Sequence, residues 1–258
     1  MIVRYVAILP SIYPPWTGEC LASCKLDNLL VVDNTTHNRG VAASWNLGIR
    51  EMYERGADWL IIVSAGVRFG EPGGLDLVAE MGRHPGALAV EAGVWRWNAD
   101  GTGAEGFGWH LVAMHRRLFD NVGLFDENFY PAYWEDNDFG YRVKLWLTAH
   151  PEAVAHCGSC HTGDAGEALR HHVVIPGHRN LACPHPEADW REGAWWPKVH
   201  VEGKLAGTAH GTSLGGVRDD PERLMAYYAR KWGGQSGHET YDHPFNDPSH
   251  DLKYWPAV

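Results

Sequence analysis

The sequence has no run of about 18 apolar residues, so no segment of it is predicted to cross a membrane. Cysteine is scarce, with five residues in 258, and an odd number cannot all pair within one chain. Positive charge is in deficit, because 22 Lys and Arg face 32 Asp and Glu and leave a net charge of −10. That balance disfavours a protein whose whole surface attracts nucleic acid.

The chain also shows no internal repeat, and its opening MIVRYVAILPSIYPPW is too short to resemble a cleavable signal peptide. With the odd cysteine count, this predicts a reducing, cytoplasmic location. Two residue types are instead abundant, 13 Trp and 16 His. Their flat bodies and polar ends suit sugar stacking, but they serve equally as core and interface residues.

Short apolar runs that end in polar or turn-forming residues predict buried parallel strands at Val3–Leu9, Leu29–Val32, Trp59–Val63 and Ala87–Glu91. Between them, apolar residues at helical spacing predict helices at Val41–Arg55 and near Gly74–Met81. This alternation predicts an α/β fold with an open, mostly parallel twisted sheet and helices on both faces. A ligand crevice is expected beyond the carboxyl ends of the strands.

The pattern changes in the second half of the chain. We predict a strand at Trp109–His115 and helices at Glu135–Leu147 and Asp219–Trp232, whereas residues 161–210 show little periodicity. The predicted organisation is therefore a core at 1–160 and a loop-rich C-terminal extension at 161–258 that packs on it.

Three stretches carry a resemblance to a known family: Val31–Asn34 with Asn38–Ile49, Phe125–Arg142, and Tyr227–Gly234. In order and spacing they resemble family-two nucleotide-sugar glycosyltransferases of the GT-A fold. The resemblance implies a Rossmann-like core and an inverting transfer of a sugar from a nucleotide-diphosphate donor such as a UDP-sugar. The implied acceptor is a glycan or protein hydroxyl, and the negative net charge disfavours a modified DNA base.

The resemblance implies that Pro10, Ser11 and Asp33 hold the nucleoside of the donor. The Asp33 carboxylate would accept the N3 proton of a pyrimidine, which only an acceptor can do. Asp33 can equally be a turn residue, since Asp-Asn is favoured after any strand. Asn46 either lines the donor-sugar site or serves a structural role inside the fold.

The motif Glu135-Asp136-x-Asp138 opens a predicted helix. The helix dipole favours carboxylates there, so the motif can be a helix start without chemistry. However, the aromatic run before it would dehydrate one carboxylate and Arg142 would keep another ionised. We therefore predict Asp136 as the general base, with Glu135 in reserve, while Asp138 and Arg142 contact substrate and Trp134 offers a stacking surface.

One departure from the family concerns the metal. Family members usually end the third strand with an Asp motif that holds Mn²⁺ or Mg²⁺, but here Ser64-Ala65-Gly66 follows the strand. The diphosphate charge must then be met by an ion on other ligands such as His156, or by the cations Arg68 and Lys231. A catalytically silent carbohydrate-binding or scaffold protein of the same fold is the alternative.

A second alternative is a Cys/His metalloprotein. The segment Cys157-Gly158-Ser159-Cys160-His161 fits a haem attachment pattern, and with Cys183 and His185 it also fits a zinc site.

Overall fold

A computed structural model describes residues 2–12, 14–65, 67, 69, 73–91, 94–97, 103–106, 111–150 and 221–255. The strands are β1 Tyr5–Ser11, β2 Leu29–Asp33, β3 Trp59–Val63, β4 Ala89–Glu91, β5 Val94–Trp97, β6 Gly103–Gly106 and β7 Leu111–His115. The helices are α1 Pro14–Ser23, α2 Val41–Glu54, α3 Leu75–Arg83, α4 Arg116–Val122, α5 Glu135–Ala149 and α6 Pro221–Trp232, followed by a short 3₁₀ helix, Pro244–Asn246. No helix in these ranges is long and apolar enough to cross a membrane.

Five strands form one open sheet in the order β2-β1-β3-β7-β4. Strand β1 runs parallel to β2 and β3, whereas β7 runs antiparallel to both β3 and β4. Strands β5 and β6 form a separate antiparallel pair. The predicted α/β fold with an open, mostly parallel sheet is confirmed, although the sequence pattern did not indicate the reversed direction of β7.

Apolar side chains alternate along the central strands and so feed two cores, one on each face of the sheet. On β1 and β3, Ile8 and Ile62 face a core shared with α2, α4 and α5, while Leu9 and Ile61 face a core shared with α1 and α3. Burial on both faces explains why these strands read as continuous apolar runs. The predicted helices on both faces are confirmed.

The C-terminal segment 221–255 belongs to the same body as the sheet. Helix α6 packs Leu224, Tyr228 and Trp232 against Phe129 in a third apolar cluster. Further along, Tyr254 forms a parallel bridge with Gly123, and its carbonyl accepts from the Leu124 N–H at 2.8 Å. The end of the chain therefore braces the loop that precedes α5.

Candidate active site

The carboxyl ends of β1 and β2 lie side by side, because Ser11 pairs with Asp33 in the parallel register. Asp33 is exposed, and its Oδ1 accepts from the Thr35 hydroxyl at 2.6 Å and from the Thr35 N–H at 2.8 Å. These hydrogen bonds lower the pKa of Asp33 below its ordinary value. The site thus presents an ionised, solvent-facing acceptor at the strand end.

The structure places the other two predicted nucleoside residues at the end of β1 rather than in a following loop. Pro10 is partly exposed. Its lack of a backbone N–H removes no hydrogen bond to β3, because the pairing of β1 with β3 ends at Ile8. Ser11 is buried, and its hydroxyl lies 2.6 Å from the Thr17 hydroxyl. The Ser11 side chain is thereby engaged within the protein.

The loop after β2 is joined directly to the loop before α5. The Val41 N–H donates to the Pro131 carbonyl at 2.8 Å, and the Tyr130 hydroxyl donates to the Asn38 carbonyl at 2.7 Å. Gly40 has a φ of +87°, and a Cβ there would lie 2.8 Å from the Tyr130 ring. Only glycine fits this close approach, which brings the Asp33 loop and the acidic end of α5 together.

Two successive residues before α5, Tyr133 and Trp134, have φ values of +80° and +73°. Such backbone costs a non-glycine residue about 1–2 kcal/mol. The two side chains differ in environment. The Trp134 ring packs against Tyr228 with 5.2 Å between the ring centroids, whereas Tyr133 is 57% exposed. The stacking surface predicted at Trp134 is therefore turned towards α6, and Tyr133 is the more exposed of the two aromatic side chains.

The acidic turn separates two neighbouring carboxylates by environment. Glu135 is only 5% exposed and its Oε2 has no hydrogen-bond partner, while Asp136 is partly exposed. Burial, together with the negative charge of Asp136, raises the pKa of Glu135 to about 8. Glu135 therefore holds a proton at neutral pH, which leaves Asp136 as the more accessible carboxylate of the pair.

A buried charge network, formed by Asp126, Asp138, Arg142 and Lys231, lies between α5, α6 and the loop before α5. Lys231 Nζ lies 2.8 Å from Asp126 Oδ2 and 2.6 Å from Asp138 Oδ1. Arg142 Nε donates to Asp138 Oδ2 at 2.9 Å, and the Trp232 indole N–H donates to Asp138 Oδ1 at 2.9 Å. Two carboxylates face two cations, so the network is neutral overall.

This network corrects three sequence predictions. Asp138 and Arg142 are fully buried, and the remaining Arg142 donors go to the Val122 and Leu124 carbonyls, so neither residue faces a substrate. Lys231 is buried between two carboxylates and does not offer its charge to a diphosphate. Asp126 is a member of this network that no sequence pattern indicated, although it lies within the stretch Phe125–Arg142 that resembles the glycosyltransferase family.

Asn46 is also structural. Its amide nitrogen donates to the Phe125 carbonyl at 2.9 Å and to Glu127 Oε1 at 2.8 Å, while its oxygen accepts from the Phe125 N–H at 2.9 Å. The side chain is fully buried, so of the two predicted roles the structure supports the structural one and not a place in the donor site. Asn46 instead anchors α2 to the chain just before Asp126.

The described residues offer no cluster of side chains suited to the predicted divalent metal. In the described ranges no three His, Cys, Asp or Glu side chains come together to hold an ion, and β3 is followed by Ser64 and Ala65. The described residues therefore do not fit Mn²⁺ or Mg²⁺. The predicted ligand His156, the cation Arg68 and the segment 157–161 lie outside the described residues.

The buried carboxyl predicts a pH-dependent stability. The folded Glu135 pKa of about 8 exceeds the ordinary 4.5, so between these values the folded protein keeps a proton that the unfolded chain releases. Stability should fall as pH rises through this window, by about 2 kcal/mol or more. Glu135→Gln, which cannot titrate, should flatten this fall between pH 5 and pH 8, measured as Tm. Exposed Glu54→Gln is the control, and an unchanged slope in Glu135→Gln would contradict the assignment.

The similarity of this chain to known proteins is distant. No protein-family model matches the chain, and no curated protein does. Among solved structures, one similar chain is the mannosyltransferase PcManGT from Pyrobaculum calidifontis in complex with GDP-Man and Mn²⁺, with 15% identity and a TM-score of 0.39 over 55% of this chain and 52% of that chain. A second is S. aureus TarS 1–349, with 11% identity and a TM-score of 0.39 over 89% of this chain and 86% of that chain. A third is A197 from STIV, with 12% identity and a TM-score of 0.34 over 46% of this chain and 69% of that chain. The chain thus covers about half of the mannosyltransferase. These values are too low to transfer a substrate or a mechanism.

Proposed function

We propose that this protein is a glycosyltransferase that moves a sugar from a nucleotide-diphosphate donor to an acceptor hydroxyl with inversion. The supporting observation is the contact between two loops: the Val41–Pro131 hydrogen bond joins the loop of the ionised Asp33 to the loop that leads into Glu135 and Asp136. Asp33, the proposed acceptor for the base, and the carboxyl groups of Glu135 and Asp136 therefore belong to two joined loops beside the carboxyl ends of the strands. Open α/β sheets bind ligands in the crevice beyond these strand ends.

In this reaction the acceptor oxygen attacks the anomeric carbon of the donor sugar, and the bond from that carbon to the diphosphate oxygen breaks. The nucleoside diphosphate leaves with the bonding electron pair, and the acceptor proton passes to the Asp136 carboxylate. Glu135, protonated at neutral pH, adds no second negative charge beside the attacking oxygen. Arg68 is proposed to pair with the diphosphate, because a guanidinium can bind phosphate oxygens in a two-pronged geometry.

Nucleotide binding tests the proposal. Uridine diphosphate should bind more tightly than adenosine diphosphate, measured by titration calorimetry, because uracil N3 carries a proton that Asp33 can accept, whereas adenine N1 carries none. Asp33→Ala should weaken uridine diphosphate binding about tenfold or more, the worth of a hydrogen bond to a charged group. Asp247→Ala is the matched control, since Asp247 is a half-exposed aspartate whose Oδ1 likewise accepts a backbone N–H two residues ahead. Equal affinity for the two nucleotides would contradict the assigned pocket.

A carbohydrate-binding protein that does not turn over the donor is the second candidate. It is favoured by Ser64 and Ala65, which stand where the resembled family carries its metal-binding carboxylate. Release of uridine diphosphate from a panel of UDP-sugars separates the two: a transferase hydrolyses at least one donor slowly without acceptor, whereas a binding protein hydrolyses none.

A further inference from the structure

Tyr133 is an exposed aromatic side chain on a backbone that disfavours it. Its φ of +80° lies in the region where glycine is at ease, yet the residue is a tyrosine with more than half of its surface in solvent. The backbone by itself has no need of an aromatic ring at this position. The neighbouring Trp134, also at positive φ, packs inwards on Tyr228, so the turn directs one ring into the protein while Tyr133 stays more than half exposed.

Tyr133 lies at the entrance to the acidic turn, two residues before Glu135. The Glu135 side chain is buried, and its Oε2 has no hydrogen-bond partner. Asp136 follows in sequence and is partly exposed. An aromatic surface and two carboxyl groups thus lie within four consecutive residues.

We propose that Tyr133 is the surface on which a carbohydrate acceptor stacks, with one of its hydroxyls directed to Asp136. The inference rests on the proposed transferase function and narrows its acceptor to a glycan. A pyranose ring has an apolar C–H face that an aromatic ring can cover and a hydroxyl edge that carboxylates can accept from. A serine or threonine of a protein acceptor has no such face, so an exposed rigid ring favours the sugar.

Binding of free trisaccharides tests this site without requiring turnover. Chitotriose, cellotriose and maltotriose are titrated in the presence of uridine diphosphate and followed by saturation-transfer NMR of the sugar. We expect at least one of them to bind, Tyr133→Phe to keep the affinity within about twofold, and Tyr133→Ala to weaken it about five- to tenfold. Trp255→Ala is the matched control, because Trp255 is an aromatic residue of similar exposure, 51%, whose ring lies against Lys253.

A glycine variant separates binding from folding. Tyr133→Gly relieves the positive φ, so its Tm should equal or exceed that of the wild type, while its trisaccharide binding should be lost. A purely structural tyrosine would show the reverse, with a lower Tm and unchanged binding.

Three results overturn the proposal: none of the trisaccharides binds, Tyr133→Ala binds them as the wild type does, or a serine-containing peptide binds in their place. Donor hydrolysis is measured in parallel. Hydrolysis without trisaccharide binding overturns the Tyr133 site alone, whereas binding that depends on Tyr133 without any hydrolysis leaves the carbohydrate site standing and shows that the transferase function is wrong.

Discussion

Lys231→Met should lower the free energy of unfolding by about 3–5 kcal/mol, the cost of leaving buried carboxylates without their partner. Lys231 is the cation shared by Asp126 and Asp138, and all three side chains are buried. With Lys231 replaced, Asp138 would keep Arg142, whereas Asp126 would lose its cation. Denaturant unfolding at pH 7 measures the loss.

Arg230→Met provides the control for Lys231→Met, because Arg230 is the preceding residue of α6 and is exposed. It stacks over the Tyr227 and Phe245 rings, so its removal should cost about 1 kcal/mol or less. The double variant Asp126→Asn/Lys231→Met should recover part of the stability lost in Lys231→Met, because it removes the Asp126 charge that the loss of Lys231 leaves uncompensated. If Lys231→Met were as stable as Arg230→Met, the charge network would not hold α6 in place.

Asp136→Asn should bind donor nucleotide as the wild type does and lose about 10²-fold or more in turnover, the usual scale for removing a general base. The reason is accessibility and charge together. Asp136 is the partly exposed member of the pair, and its negative charge contributes to the raised pKa of Glu135, so Asp136 is the carboxylate able to take a proton at pH 7. Turnover is measured as sugar transfer to the acceptor identified by the binding experiments.

Glu135→Gln is the companion variant. It preserves the shape and the neutral state of the buried side chain, so its turnover at pH 7 should lie much nearer to that of the wild type. If Glu135→Gln were inactive and Asp136→Asn active, Glu135 would be the base. If both variants kept full turnover, the acidic motif would be only a helix start.

Local patterns in the sequence were sufficient for most of the framework. The predicted strand Trp59–Val63 matches β3 residue for residue, and the predicted starts of α2 at Val41 and of α5 at Glu135 are confirmed. These elements have unbroken apolar runs or strong helical periodicity, which depend only on neighbouring residues. The strand predicted at Val3–Leu9 begins and ends two residues before β1, which is Tyr5–Ser11. Proline is typical of a strand end, but β1 continues through Pro10 because its pairing with β3 has already ended at Ile8.

The sequence by itself determined the class of sheet, the helices on its two faces, the end of α6 at Trp232 and the position of the acidic turn. Only the tertiary structure decided what the polar side chains do. Lys231 meets Asp126 across 105 positions and Asn46 meets Phe125 across 79, and no local pattern reports partners so distant. Likewise, left-handed backbone turns Trp134, the predicted stacking residue, onto Tyr228, and the adjacent Tyr133 is exposed instead. Burial and pairing are properties of the packed chain, and they set which charged groups stabilise the fold and which are available for chemistry.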